Sequence, residues 1–548
     1  MTQANSSNRN RWLLIATVIT VGLTSILQAC GDSSTSLPPP SAVLSVYPVE
    51  NTDTALVSTQ ISVDFRNEML SNTINENTFT VSSGGVPVDG TVVVPGITTT
   101  TSAVFIPDSD LVSGAVYKAT ISSDIVDSDG NHPLSRDYEW GFTVSQTIAL
   151  VSRDVNDVAG NNKSDSSDID GSGQYIVFES TATNLVTDVT TGGINHIYRK
   201  DTLSGDVLLV SSDDSDLVAA NTASSSPRIS DGGRFVVFES KATNLSTIAS
   251  GGFSQIYLKD LADGSVDMIS RNSSLTAGNG NSFNPDISAD GKYIVFDSSA
   301  TNLGGTGFRH VYLVDTADLD TIELISVDSS GVPGNGNSSD PSVSDDGMRV
   351  AFVSDAKNLD ADNNTFIDVF LRDRNSNGTT SLVSENISAT GGGDRDSTTA
   401  DISGDGNYVV FESNATNLVT DQSTFVDIYI RDIESSSTSL VNFLASGPVY
   451  ADDNSHNPSI NSDGSFVTFE SEATNLDTGT FNKSNIFVSD VTTPDDIKRL
   501  SLISDVNSNN ARISSDGRYV SFDSPYSFTL DDTNNGLVDT YRSYNSTF

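Results

Sequence analysis

The chain has 548 residues, with 28 Lys+Arg against 72 Asp+Glu, a net charge of −44 and a single cysteine. Nucleic-acid binding needs a basic footprint and charge-driven docking on anionic lipid needs a basic face, so this balance excludes both. One cysteine excludes an intrachain disulfide, leaving core burial to hold a chain long enough to build adequate cores.

Residues 1–29 read as a targeting segment, outside the fold. Arg9 and Arg11 give a basic start, and Trp12 to Ile26 is an apolar run too short for a comfortable membrane span. The run ends in Leu27-Gln28-Ala29-Cys30, which resembles a bacterial lipobox. That resemblance implies cleavage before Cys30 and lipidation of Cys30. With Gly31 next, rather than the inner-membrane retention Asp, it implies the outer membrane. Residues 30–40 are Ser/Thr/Pro-rich and read as an extended tether.

Residues 41–146 carry short alternating segments, Ile61-Ser62-Val63-Asp64-Phe65 and Thr78-Phe79-Thr80-Val81 among them. Further segments around Phe105, Tyr117 and Trp140-Gly141-Phe142 bring the count to that of a β-sandwich. With Met69, Pro107, Leu111 and Asp127-Ser128-Asp129-Gly130-Asn131, the stretch resembles the bacterial Ig-like domain of S-layer and other surface proteins. The resemblance implies a spacer or adhesive module.

From residue 147 the chain repeats. Phenylalanines at 178, 238, 296, 352, 411, 469 and 522 each lie in a block such as Asp405-Gly406-Asn407-Tyr408-Val409-Val410-Phe411, giving a period of about 57 residues. The Asp-Gly pair predicts a tight turn and the apolar run a buried strand. A short strand precedes the turn, and two follow, as in Val426–Asp432 and Thr438–Val441. Four short antiparallel strands per period predict a β-propeller blade. The seventh copy stops before its fourth strand, while a spare strand of that type, residues 147–152, precedes the first copy. The expected fold is therefore all-β: an Ig-like β-sandwich, then a seven-bladed β-propeller over 147–548 closed by an N-terminal strand. The pattern Pro-x-Ile-Ser-x-Asp-Gly-x-Tyr-Val-x-Phe-x-Ser with a later Asp-Ile-Tyr-x-x-Asp resembles the WD-like repeats of TolB-type propellers. Such propellers host binding proteins, complex components, a few lyases and peptidase-associated domains.

Candidate chemistry is sparse. Asp360, Asp362, Asn364 and Asp368 form one oxygen-rich group and Asp531, Asp532, Asn534 and Asp539 another, the ligand types that calcium takes. His196, Gln255, His310, Asp427 and Asn485 start the third strands of their repeats; they are a candidate ligand face, with a polar strand start that satisfies neighbouring backbone groups as the favoured reading. Asp168, Arg228, Asp286, Ser342, Asp401, Ser459 and Arg512 occupy one position on the inner strands, near an expected central channel. No Gly-x-Ser-x-Gly elbow or phosphate-binding glycine loop is present, so no catalytic residue is assigned. The expected function is a non-enzymatic, lipid-anchored envelope scaffold for a protein or glycan partner. The alternative is a metal-assisted propeller enzyme, a polysaccharide lyase or phosphoesterase, and calcium is the one cofactor considered.

Overall fold

A computed structural model describes residues 42–49, 60–107, 111, 116–144, 148–187, 189–360, 364–375, 378–420, 424–444, 449–477, 483–493, 496–501, 506–528 and 536–545. Cys30, Asp362, Asp531, Asp532 and Asn534 lie outside them. The described chain is all-β, its helical content limited to three short 3-10 turns. It divides into two compact units, Met1–Gln146 and Thr147–Phe548. No described helix is long and apolar enough to cross a membrane.

In the first unit eight strands form two four-stranded sheets. Strands β1 (Val43–Tyr47), β2 (Ile61–Leu70), β3 (Phe79–Ser83), β4 (Val86–Pro87), β5 (Gly90–Val93), β6 (Thr99–Pro107), β7 (Val116–Ile121) and β8 (Tyr138–Thr143) pair in the orders β1-β2-β6-β5 and β4-β3-β7-β8. The period-2 pattern of β2 sends Ile61, Val63 and Phe65 inward and leaves Asp64 exposed. They join Phe79, Phe105 and Trp140 in one core, with Phe79 5.9 Å from Phe105 and 6.0 Å from Trp140.

The second unit opens with β9 (Ile148–Leu150) and builds seven four-stranded antiparallel sheets, plus a hairpin of Phe443–Leu444 with Val449–Tyr450. We number the sheets in chain order. In sheets 1 to 6 four consecutive strands pair. Sheet 7 takes Asn509–Ile513, Tyr519–Ser524 and Asp539–Tyr544 and receives β9 as its fourth strand, with Leu150 opposite Tyr541. Each repeat phenylalanine lies on the second strand, stacked on the aromatic directly opposite it on the third. Phe178–Tyr198, Phe411–Tyr429 and Phe522–Tyr541 have centroids 5.8, 5.7 and 5.8 Å apart. Such cross-strand aromatic pairs contribute roughly 0.5–1.5 kcal/mol each beyond area burial.

Two recurring joints fasten neighbouring sheets. The first is the turn glycine. A Cβ on Gly464 of sheet 6 would stand 2.3 Å from the Tyr408 ring of sheet 5, and one on Gly173 of sheet 1 would stand 2.3 Å from the Tyr519 ring of sheet 7. Arg542 lies over Tyr519, 4.7 Å from the ring centroid, and donates to the Gly173 carbonyl at 2.8 Å. The second joint is a bulge in every first strand, where Ser166, Ser226, Asn284, Asp340, Thr399, Asn457 and Asn510 take φ between 48° and 56°. Left-handed backbone costs a non-glycine residue roughly 1–2 kcal/mol. At six of the seven positions a carboxylate of the preceding sheet accepts the bulge N–H. Glu179 takes Ser226 (2.8 Å), Glu239 takes Asn284 (2.9 Å), Asp297 takes Asp340 (3.3 Å) and Glu412 takes Asn457 (3.1 Å). Glu470 takes Asn510 (2.7 Å) and Asp523 of sheet 7 takes Ser166 of sheet 1 (2.6 Å). Where the acceptor is ionised, such a hydrogen bond is worth about 1.5–3 kcal/mol, enough to offset the strain. The seventh position differs because Val353 replaces the acid. There the Thr399 hydroxyl instead donates to Glu412 at 3.0 Å.

Candidate ligand-binding site

The first strands of all seven sheets line a common cavity of ≈ 350 Å³, mostly through their bulges and the residues just after them. One end is drawn together by the turn tips. Asp231 N–H donates to the Ala289 carbonyl (2.9 Å), Asp345 to Gly404 (2.8 Å), Ser462 to Ser515 (3.1 Å) and Asp516 to Gly171 (3.0 Å). Ser515 Oγ reaches Asp231 across sheet 1 at 3.1 Å, and Ser462 Oγ reaches Asp345 across sheet 5 at 2.9 Å. The tips are crowded at the position two residues before the turn glycine, which is itself glycine in sheets 1 and 5. A Cβ on Gly171 would fall 2.4 Å from the Asp231 carboxylate, and one on Gly404 2.2 Å from that of Asp345.

Above the tips sits the inner-strand position singled out by the repeat. Arg228, Asp286, Ser342, Asp401 and Arg512 all line the cavity. Several of these groups also tie one sheet to the next. Asp168 accepts Ile229 N–H (2.9 Å), Asp286 accepts Val343 N–H (2.9 Å) and Asp401 accepts Ile460 N–H (3.1 Å) and Ser342 Oγ (2.7 Å). Arginine cannot accept, so the pattern breaks at sheets 2 and 7 and leaves guanidinium donors there. Arg228 donates to its neighbour's carbonyl, Pro227 O, at 3.0 Å and stands 3.9 Å from Asp286. Burial pushes the Asp286 carboxyl up to about 6, against the pull of Arg228. Asp168 is raised for the same reason, opposed by Arg228 and Arg512. Burial, then the charge of Arg228, lowers Arg512.

The candidate ligand face of third-strand residues is not formed, and the structural reading of those positions is the one that fits. His196, Gln255, His310, Asp427 and Asn485 are all buried and spend their polar atoms inside their own sheets. His196 Nδ1 meets Ser211 Oγ at 3.1 Å and its Nε2 meets the Thr191 carbonyl at 2.9 Å. His310 is held by Ser326 Oγ (3.0 Å) and Thr306 Oγ1 (2.9 Å), and burial lowers both histidines. Gln255 accepts from Ser270 Oγ (2.6 Å), Asp427 from Asn442 Nδ2 (2.8 Å) and Asn485 from Ser501 Oγ (3.4 Å). The partner is a Ser or Asn just after the fourth strand, whose side-chain oxygen also accepts the next third-strand N–H, as Ser211 does from Ile197 at 3.0 Å. These positions therefore lock the third strand to the end of the fourth. A buried polar strand start needs such partners. The sequence signal for this lock is the Ser or Asn that recurs just after each fourth strand.

The calcium groups divide. Asp368 accepts from Ser384 Oγ and Asn364 Nδ2, both at 2.8 Å, Asp539 accepts from Ser152 Oγ at 2.6 Å, and Asp360 accepts Leu382 N–H at 3.0 Å. These bonds use one or both oxygens of each carboxylate, and the remaining members of the groups lie outside the described residues, apart from Asn364. Among the described residues no three His, Cys, Asp or Glu side chains are grouped to hold a metal.

No curated protein matches the chain. Among solved structures it is similar to TolB from Acinetobacter baumannii, at 13% identity and a TM-score of 0.35 over 80% of this chain and 78% of that one. It is also similar to the β-propeller domain of the Trilobed protease from Pyrococcus furiosus, at 12% identity and a TM-score of 0.43 over 70% and 95%. A puromycin-hydrolyzing peptidase from Mycobacterium tuberculosis gives 13% identity and 0.40 over 68% and 52%. Residues 38–144 match the family described as the bacterial Ig-like domain, so the first unit is an Ig-like domain.

Proposed function

We propose that this chain is an exported, lipid-anchored envelope protein that binds its ligand without turning it over. In this reading an Ig-like spacer carries a closed seven-bladed propeller. The axial cavity is the ligand seat, and a protein or glycan partner in the envelope is held around it. The observation that carries the reading is the ≈ 350 Å³ polar cavity to which all seven first strands contribute. Closure is supported by β9 pairing with the last sheet and by the Asp523–Ser166 and Gly173–Tyr519 joints between sheets 7 and 1. Pockets at the meeting point of several elements, with a few convergent polar groups, are where small ligands bind. The metal-assisted alternative needs histidines from several sheets to converge, whereas His196 and His310 are each enclosed by internal partners.

The test is a thermal-shift screen of the purified full chain against amino acids, short peptides and saccharides, followed by mass spectrometry of each hit. The expected result is a hit that raises the unfolding midpoint and is recovered unchanged. A hit consumed by the protein would overturn the binding reading. Ala400 lines the cavity, so Ala400→Phe is expected to fill it and abolish the shift while leaving the ligand-free midpoint within a few degrees. A retained shift would move the ligand elsewhere.

The address is tested separately at Cys30. Metabolic labelling with a fatty acid is expected to mark the wild-type protein and not Cys30→Ala, which should leave the membrane fraction. More than one acyl chain is needed for stable anchoring. Equal labelling of both proteins would remove the lipid anchor from the proposal.

A further inference from the structure

The cavity has an electrical polarity that the fold does not require. Running round the inner position, sheets 7, 1 and 2 contribute Arg512, Asp168 and Arg228, and sheets 3, 4 and 5 contribute Asp286, Ser342 and Asp401. The guanidiniums thus stand on one arc, with a single carboxylate between them, and the other two carboxylates on the other. The Arg512 guanidinium makes no hydrogen bond or ion pair with any described residue, although it lines the cavity beside the charges of Arg228, Asp401, Asp168 and Asp286. A partly buried guanidinium without a carboxylate in contact is costly, and its planar fork is shaped for two oxygens of one carboxylate. Ser167, on the same arc, lines the cavity, is 2% exposed and leaves its hydroxyl without a hydrogen-bond partner. On the other arc Asp286 uses one oxygen for Val343 N–H, while the other stands 3.9 Å from Arg228, with the charges of Asp401 and Asp168 also acting on the carboxyl. A bare anion is disfavoured, because three carboxylates against two guanidiniums leave the ring negative in a chain of net charge −44. The ligand must bring a cation as well as an anion. At ≈ 350 Å³ the space lies near the small end of ligand pockets, which run from about 300 to 1,000 Å³.

We propose that the cavity binds a small zwitterion of the amino-acid and short-peptide class, its carboxylate on Arg512 and Arg228 and its ammonium on Asp286. This rests on the cavity being the ligand seat.

Titration calorimetry of the full chain with glycylglycine, N-acetylglycine, glycinamide and glucose separates the possibilities. Millimolar or tighter binding of glycylglycine is expected, with N-acetylglycine and glycinamide, each lacking one charge, at least tenfold weaker. Arg512→Gln should lower glycylglycine affinity at least tenfold and leave glycinamide unchanged, and Arg512→Lys should fall between. Circular dichroism and the ligand-free midpoint show that each variant folds. Should Arg512→Gln fail to fold, Asp286→Asn provides the second arm, losing glycylglycine and sparing N-acetylglycine. Glucose binding that Ala400→Phe abolishes, with glycylglycine no tighter, would overturn the zwitterion and keep the cavity as a seat. Glycylglycine binding that Ala400→Phe leaves intact would overturn the cavity itself, and no binding of any probe in the millimolar range would overturn the zwitterion.

Discussion

Gly464→Ala is expected to lower the stability of the second unit by about 2–4 kcal/mol, read as a lower midpoint in urea with the slope unchanged. Two costs add. Gly464 has φ +75°, where a side chain adds roughly 1–2 kcal/mol. The new methyl would also lie 2.3 Å from Tyr408 Cδ2 and 2.9 Å from Cε2 and Cγ, so the ring or the turn must shift. Tyr408 is hemmed in as well, packing against the core cluster that includes Val410, Phe469 and Phe487. Gly130→Ala in the first unit is the control. Gly130 has a comparable φ of +84° and open space around its Cβ, so only the backbone cost applies, about 1–2 kcal/mol. Equal losses for the two variants would show that the inter-sheet contact adds nothing.

This joint also marks how far the sequence could be read. The Asp-Gly pairs and the Phe run announced turn and strand because both rely on local physics: φ > 0 for glycine, and burial for an apolar run. What the glycine touches is one sheet away and about 56 residues back, and no local pattern carries that. The bulge residues were invisible for a different reason. Ser166, Asn284 and Asp340 share no side chain, and their common property is a backbone angle held by the acid of another repeat. The inner ring was legible in register, since Arg228, Asp286, Ser342, Asp401 and Arg512 do meet in one cavity. The third-strand ring turned on burial. Periodicity placed His196 and His310 at equivalent points, but a polar residue at a strand start can face solvent or be enclosed. Ser211 and Ser326, about fifteen residues onward, decide for enclosure.

Acidity is expected to stabilise the second unit, with the thermal midpoint rising as pH falls from 8 to 5. Asp523 is the main cause. It is buried, and burial pushes its carboxyl up to about 8 although Asn510, Thr540 and the Ser166 N–H all donate to it. In the unfolded chain the same carboxyl titrates near 4. The folded state therefore holds the proton more tightly, and the stabilisation is complete below about pH 4 and lost as pH rises through about 8. Each titrating carboxylate of this kind changes stability by about 1.4 kcal/mol per pH unit inside that window. Glu179, Glu239 and Glu470 occupy the same joints, are raised by burial and act with the same sign. Glu412 opposes them. Burial raises it, but hydrogen bonds from His456, with Nδ1 3.3 Å away, from the bulge N–H and from Thr398 together outweigh burial, so its folded value is lowered. Its contribution disappears only as pH falls through the carboxylate range, which places the stability maximum near pH 5. Relief of repulsion in a chain of net charge −44 would act in the same direction. Asp523→Asn separates the two causes. It keeps the size of the side chain and removes its titration, so the rise between pH 8 and 5 should shrink by several degrees relative to wild type. An unchanged pH profile in Asp523→Asn would assign the whole effect to surface charge, and a midpoint falling below pH 7 in the wild type would contradict the buried joints altogether.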